Sequence, residues 1–142
     1  MSKVLYIDDE ADSEKMASKF EIMKDEGIQI VPVSTVRDAL PILDSLRNSI
    51  DLIVLDLIMP PEDVYGLDET EGGTLTGLRL LEDIKRQASE IPVMIVSVRR
   101  SPYPEQVFSK YGISHYLEKP ISASALCQAI KSAIASSGHT LE

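Results

Sequence analysis

The stretch Leu52-Ile53-Val54-Leu55-Asp56 decides the fold. Four consecutive apolar residues, without the polar alternation of a strand wetted on one side, suit a β-strand covered on both faces by helices; such strands lie at the centre of parallel sheets. The run stops abruptly on an aspartate. On its N-terminal side, Val4 to Ile7 form a similar short run cut off by Asp8 and Asp9, and Met16, Phe20 and Met23 follow with the i, i+4, i+7 spacing of one helix face. Gly27 turns the chain into the β-branched run Ile28 to Val33. Ser34 is read as the N-cap of the next helix, which carries Val36, Leu40, Leu43 and Leu46 and which Pro41 should kink.

On the C-terminal side the periodicity lapses between Pro60 and Thr76, where Gly66, Gly72 and Gly73 accompany Glu62, Asp63, Asp68, Glu69 and Glu71 with no base among them. This is a long acidic loop. Thr76 is read as the cap of a helix bearing Leu80, Leu81, Ile84 and Ala88, and Pro92 to Val96 is a strand ending on Ser97. Pro104 fits the first turn of a fourth helix with Val107, Phe108 and Tyr111, because a missing N–H costs nothing there. A last strand at about His115 to Leu117 meets Glu118, Lys119 and Pro120, and a fifth helix from Ser122 presents Cys127, Ile130 and Ile134. Five strands alternating with five helices define an α/β fold: a doubly wound (βα)5 sandwich around a five-stranded parallel sheet with right-handed crossovers.

Composition bounds the function. A chain of 142 residues holds one domain. It is assigned here as residues 1–138, with an acidic insertion at about 61–75 and a short tail at 139–142. With 23 acidic against 14 basic residues the formal charge is -9, the wrong sign for direct binding to nucleic acid or to an anionic membrane. One cysteine excludes a disulfide scaffold and a structural zinc site, and no apolar run is long enough to span a bilayer. The expected compartment is the cytoplasm.

The chemistry-bearing residues all stand where apolar runs end: Asp8 and Asp9, Asp56, Ser97 and Lys119. In open α/β sheets ligands bind outside the carboxyl ends of the strands where strand order reverses, and in the order 2-1-3-4-5 that point lies between the first and third strands. Three carboxylates gathered there repel one another unless a proton or cation compensates them, and their oxygens suit Mg²⁺. A carboxylate nucleophile beside a metal, a lysine and a hydroxyl describes formation of an aspartyl phosphate.

The pieces Asp8-Asp9-Glu10, Asp56-Leu57-Ile58-Met59-Pro60, Ser97 and Tyr116-Leu117-Glu118-Lys119-Pro120 give the chain its resemblance to a response-regulator receiver domain of the CheY-like superfamily, with a flavodoxin-like fold. The resemblance covers nearly the whole chain. It implies a phosphorylation-dependent switch of a two-component phosphorelay in which Asp56 accepts a phosphoryl group from a histidine kinase or phosphotransfer protein. Asp8, Asp9, Asp56 and the backbone carbonyl of Ile58 would hold Mg²⁺, and Lys119 and Ser97 would contact the acyl phosphate. Ser97 and Tyr116 would form the switch pair, and a cis peptide would precede Pro120. The signal would pass to an unidentified output protein, or to a homodimer, through the face of the fourth helix, fifth strand and fifth helix. The chain would act alone, and not as an enzyme beyond its own phosphotransfer and autodephosphorylation.

Two departures from the family pattern stand out. The glycine that usually follows the phosphoacceptor by about eight positions is here delayed to Thr76-Gly77-Leu78, and the residue after the switch hydroxyl, commonly small, is Val98. The acidic loop at Pro61 to Gly73 would sit at the rim of the site and select against small anionic phosphodonors. Two other functions compete: a Mg²⁺-dependent phosphohydrolase of the haloacid-dehalogenase type, and a pseudo-receiver that only binds partners. Structural roles compete residue by residue. Asp8 and Asp9 could cap a helix, Ser97 could satisfy a strand-end amide, and Tyr116 could be a packing residue. Cys127 reads as a core residue, and His115 and His139 lack partners at metal spacing.

Overall fold

Side chains of a strand point alternately to its two faces, and this parity sorts the apolar residues of the chain into two cores. The computed structural model describes residues 1–59, 76–98, 109 and 111–136. They form β1 (Ser2–Ile7), α1 (Glu14–Asp25), β2 (Ile28–Val33), α2 (Val36–Leu46) with a short 3-10 turn (Arg47–Ser49), β3 (Leu52–Leu55), α3 (Thr76–Gln87), β4 (Val93–Ser97), β5 (Ile113–Glu118) and α4 (Ala123–Ser136). All strand pairs are parallel, in the order β2-β1-β3-β4-β5. That is the expected topology, with Leu52 to Leu55 at its centre. The helix expected from Pro104 falls outside the described residues except for Ser109, which is helical, and Tyr111, which lies in a turn, so the closing helix is α4 here. The acidic loop, Pro102, His139 and the tail also lie outside them.

Leu5, Ile7, Ile53, Leu55, Val93 and Ile95 face α2 and α3, where they bury Leu43, Leu80, Leu81 and Ile84. The alternate residues Val4, Tyr6, Leu52, Val54, Met94 and Val96 face α1 and α4, with Met16, Met23, Leu126 and Ile130. Each such side chain contributes roughly 1.5 to 3 kcal/mol by leaving water, so the two cores together hold the sheet between its helices. Cys127 is buried in the second core, as expected. The rings of Tyr6 and Phe20 meet in an edge-to-face arrangement, with centroids 5.1 Å apart and planes at 60°.

The helix starts show where local reading misses. α1 is capped by Ser13, whose hydroxyl accepts the Met16 N–H at 3.2 Å, so neither Asp8 nor Asp9 serves as its N-cap. α2 is capped by Thr35 rather than Ser34, because Thr35 is the last extended residue and its hydroxyl reaches the Asp38 N–H at 3.2 Å. The helix continues through Pro41 to Leu46. Thr76 is the first residue of α3 rather than its cap; its hydroxyl is buried and finds no partner among the described residues. The Ser122 hydroxyl does cap α4, accepting the Ala125 N–H at 3.1 Å.

The start of α3 is held by its backbone instead. The Gly77 N–H donates to the carbonyl of Leu57 at 2.8 Å, just beyond β3. A Cβ on Gly77 would lie 2.2 Å from the Leu57 Cα and 2.5 Å from the Asp56 carbonyl oxygen, so no other residue fits while this contact is kept. The delayed glycine thus stands directly against the chain that carries Asp56. Replacing it should be costly, since the obstructing atoms are backbone and cannot rotate away. We expect Gly77→Ala to lose about 2 to 3 kcal/mol of stability, read from the midpoint of urea unfolding. An unchanged midpoint would show that α3 can back away from β3 at no cost.

Candidate functional site

The backbone ladder runs one residue past the strands and sets the site in register. The Asp8 N–H donates to the carbonyl of Val33 at 3.0 Å, the Asp56 N–H to that of Ile7 at 2.9 Å, and the Lys119 N–H to that of Ser97 at 2.7 Å. Parallel strands present all their carboxyl ends at one edge, so these residues meet there. Asp8 and Asp56 are 1% and 4% exposed, while Asp9, on the next residue and the opposite parity, is exposed.

Every oxygen of the two buried carboxylates accepts at least one hydrogen bond. Asp8 accepts the Glu10 N–H on Oδ1 at 2.9 Å and Lys119 Nζ on Oδ2 at 2.5 Å. Asp56 accepts the Ile58 N–H at 3.0 Å and the Ser97 hydroxyl at 3.1 Å, both on Oδ1, and Lys119 Nζ on Oδ2 at 3.2 Å. Ser97 is itself buried and does more than satisfy a strand-end amide. One ammonium group therefore bridges two carboxylates from different strands. Sequence reading brought Lys119 to the site but not to Asp8, because that contact depends on how deep its side chain enters.

The electrostatics follow from burial. Desolvation pushes the Asp56 carboxyl above its ordinary pKa, against the Ile58 N–H and the Lys119 charge, which pull it down. Asp9 is pushed up to about 6, first by partial burial and then by its hydrogen bond to Asp8 and the charges of Asp8, Asp56 and Glu10. Burial works against the charge of Lys119, but its hydrogen bond to Asp8 and the attraction of both carboxylates outweigh it, and its pKa rises. Three carboxylates against one ammonium leave an excess of negative charge.

That excess is what a hard cation would offset. Carboxylate oxygens of Asp8, Asp9 and Asp56 lie within 4.8 Å of one another, the only such group of metal-binding side chains among the described residues. An all-oxygen set with one exposed member suits a divalent ion that keeps part of its water shell.

The remaining expectations are placed as follows. Tyr116, on β5, is half-buried and packs on the α2 and α3 side of the sheet. Lys119-Pro120 is a cis peptide. Val98 is 56% exposed and borders a cleft of about 380 Å³ with Tyr6, Met16, Lys19, Lys119 and Leu126. His115 lies on β5, outside the carboxylate group. No helix among the described residues is long and apolar enough to cross a membrane.

Comparison with known proteins agrees with this geometry. The family model for the response regulator receiver domain matches residues 4–131. The transcriptional regulatory protein CpxR of Escherichia coli K12 is 30% identical over 131 residues, 92% of this chain and 48% of its own length. The response regulator SaeR of Staphylococcus aureus is 25% identical over 122 residues, 86% of this chain and 46% of its own. The chain thus spans about half the length of the curated relatives it matches. Among solved structures, a response regulator receiver domain protein from Clostridium thermocellum superposes with a TM-score of 0.73 at 26% identity, covering 96% of both chains. The receiver domain of a Francisella response regulator gives 0.71 at 26%, covering 96% of this chain and 98% of its own.

The balance of charge predicts opposite effects for two substitutions in divalent-free buffer. Lys119→Met would strand Asp8 and Asp56 without their cation and should cost about 2 to 3 kcal/mol, after allowance for the partial exposure of the lysine. Asp56→Asn removes a destabilised buried charge while its amide oxygen keeps the Ile58 and Ser97 bonds, and should raise the melting temperature. Two shifts of the same sign would refute this account of the site.

Proposed function

The chain belongs to the response regulator receiver domain family, and on that premise we propose that Asp56 is its phosphoacceptor, with Mg²⁺ held by Asp8, Asp9, Asp56 and the backbone carbonyl of Ile58. Members of the family are phosphoacceptor signalling proteins rather than conventional enzymes, which sets aside the phosphohydrolase alternative. Membership also implies a cognate histidine kinase. The observation that carries the assignment is the distribution of donors on Asp56: Oδ1 receives two, from Ile58 and Ser97, and Oδ2 receives only Lys119. Oδ2 keeps the more available lone pair and is the oxygen we assign to attack phosphorus.

The Ile58 N–H and the charge of Lys119 pull Asp56 toward the anionic form that a nucleophile requires, against the effect of its burial. Lys119 and Ser97, already turned toward Asp56, are placed to take phosphoryl oxygens as the group arrives, through charge-assisted bonds. Mg²⁺, when bound, would neutralise charge on the transferring group. Asp8 binds Lys119 more closely than Asp56 does, so it holds the ammonium within reach of both the nucleophile and the incoming group.

Signalling would begin with Ser97. A dianion on Asp56 offers its hydroxyl a stronger partner than the carboxylate it now serves, and its movement would open room for the ring of Tyr116. Phosphate can bias this equilibrium only by its differential interaction with the two packings. An output protein or a second copy of the chain would read the change on the face that includes β5 and α4.

Incubation with labelled acetyl phosphate should label the parent chain, and Asp56→Asn should abolish the label; persistence at the parent level would mean that another residue is the acceptor. Mg²⁺ should raise the melting temperature of the parent by relieving carboxylate repulsion. The same rise in a variant with both Asp8→Ala and Asp9→Ala would remove the metal from this cluster, and with it the contrast to a pseudo-receiver.

A further inference from the structure

Lys119 is aimed by a short loop, and that loop is tied to α1 by a side chain that the phosphoryl chemistry does not use. The N–H of Lys119 is fixed to Ser97, and Ser122 caps α4 three residues later. Between them, the carbonyl of Ile121 accepts a hydrogen bond from Lys19 Nζ at 2.9 Å, across 102 positions of sequence. Lys19 follows the buried Met16 by three residues, so it lies beside the apolar face of α1, and it is half-buried. Ordering so flexible a side chain costs rotamer entropy, and burying part of its charge adds to that cost. A lysine held in this way marks a position the fold specifies.

We propose that Lys19 is a positioning residue for Lys119: by holding the Ile121 carbonyl it fixes the loop that points the Lys119 ammonium between Asp8 and Asp56. The proposal rests on the reading above, in which Lys119 meets the phosphoryl oxygens. The geometry leaves little slack. Lys119 Nζ satisfies two carboxylates at 2.5 and 3.2 Å from a side chain only 19% exposed, and Ile121 is two residues from its backbone. Displacement of the loop passes to the ammonium, and a misplacement of about 1 Å can cost up to 100-fold in rate. The same helix follows directly on the turn in which Asp8 accepts the Glu10 N–H. α1 therefore steadies the acids at its start and the lysine through its second turn.

A second ammonium contact supplies a control. Lys131 Nζ on α4 pairs with Glu26 Oε1 at 2.7 Å just past the other end of α1, both side chains about half exposed. It ties α4 to the end of α1 without touching the loop.

Lys19→Met keeps the apolar stem and deletes the donor; Lys19→Arg restores one. With acetyl phosphate and Mg²⁺, Lys19→Met should lower the saturating phosphorylation rate roughly tenfold with an unchanged half-saturating Mg²⁺ concentration. The ¹⁵N signal of the Lys119 ammonium should broaden into solvent exchange. Lys19→Arg should recover most of the rate, and Lys131→Met should alter neither readout. A Lys19→Met rate within twofold of the parent, with an unchanged Lys119 signal, would overturn the proposal. So would a Lys131→Met variant that slows the reaction equally, since both contacts would then be mere ties between helices. If Lys19→Met does not fold, Lys19→Gln, with a shorter amide donor, is judged by the same readouts. If the parent takes no phosphate, the reading of Asp56 falls and the ammonium signal alone decides: its persistence in the variant refutes the positioning role, and its loss upholds it.

Discussion

One ammonium group between two buried carboxylates is the constraint on which the rest of this molecule depends. Asp8 and Asp56 are almost wholly removed from water, and Lys119 is the cation that offsets their buried charge. The bridge forms only if three strands end at one level. The sheet ensures this through backbone bonds from Asp8 to Val33, Asp56 to Ile7 and Lys119 to Ser97. The two apolar cores in turn keep the strands parallel and dry, and the lower polarity strengthens the attraction of Lys119 for its partners. Fold and site are therefore a single electrostatic arrangement.

Much of this was legible in the sequence because it rests on period and parity. The unbroken run Leu52 to Leu55 required cover on both faces and lies at the centre, and the residues that end apolar runs converge because parallel strands share an edge. The neighbours Asp8 and Asp9 differ in exposure for the same reason of parity. Helix starts were less legible. Ser34 and Thr35 are equally good caps in isolation, and the choice falls to whichever is last in the extended chain leaving β2. Thr76 looked like a cap, but the Gly77 N–H is satisfied by Leu57, a contact between segments far apart in sequence. Lys19 did leave a signal, a charged residue set within the spacing of Met16, Phe20 and Met23, though its partner could be known only in three dimensions.

The bond between Gly77 and Leu57 has a bearing on how such a chain can change over generations. It closes the backbone between Leu57 and Gly77, which bracket the acidic stretch in the sequence, so the described segments on either side are joined by a peptide hydrogen bond. The entropic cost of closing a flexible loop rises by only about 0.6 kcal/mol for each doubling of its length. The position is thus a port in the scaffold. Segments of varied size and charge can be installed between these two residues, and lost again, without retuning the strands that hold the aspartates and the lysine.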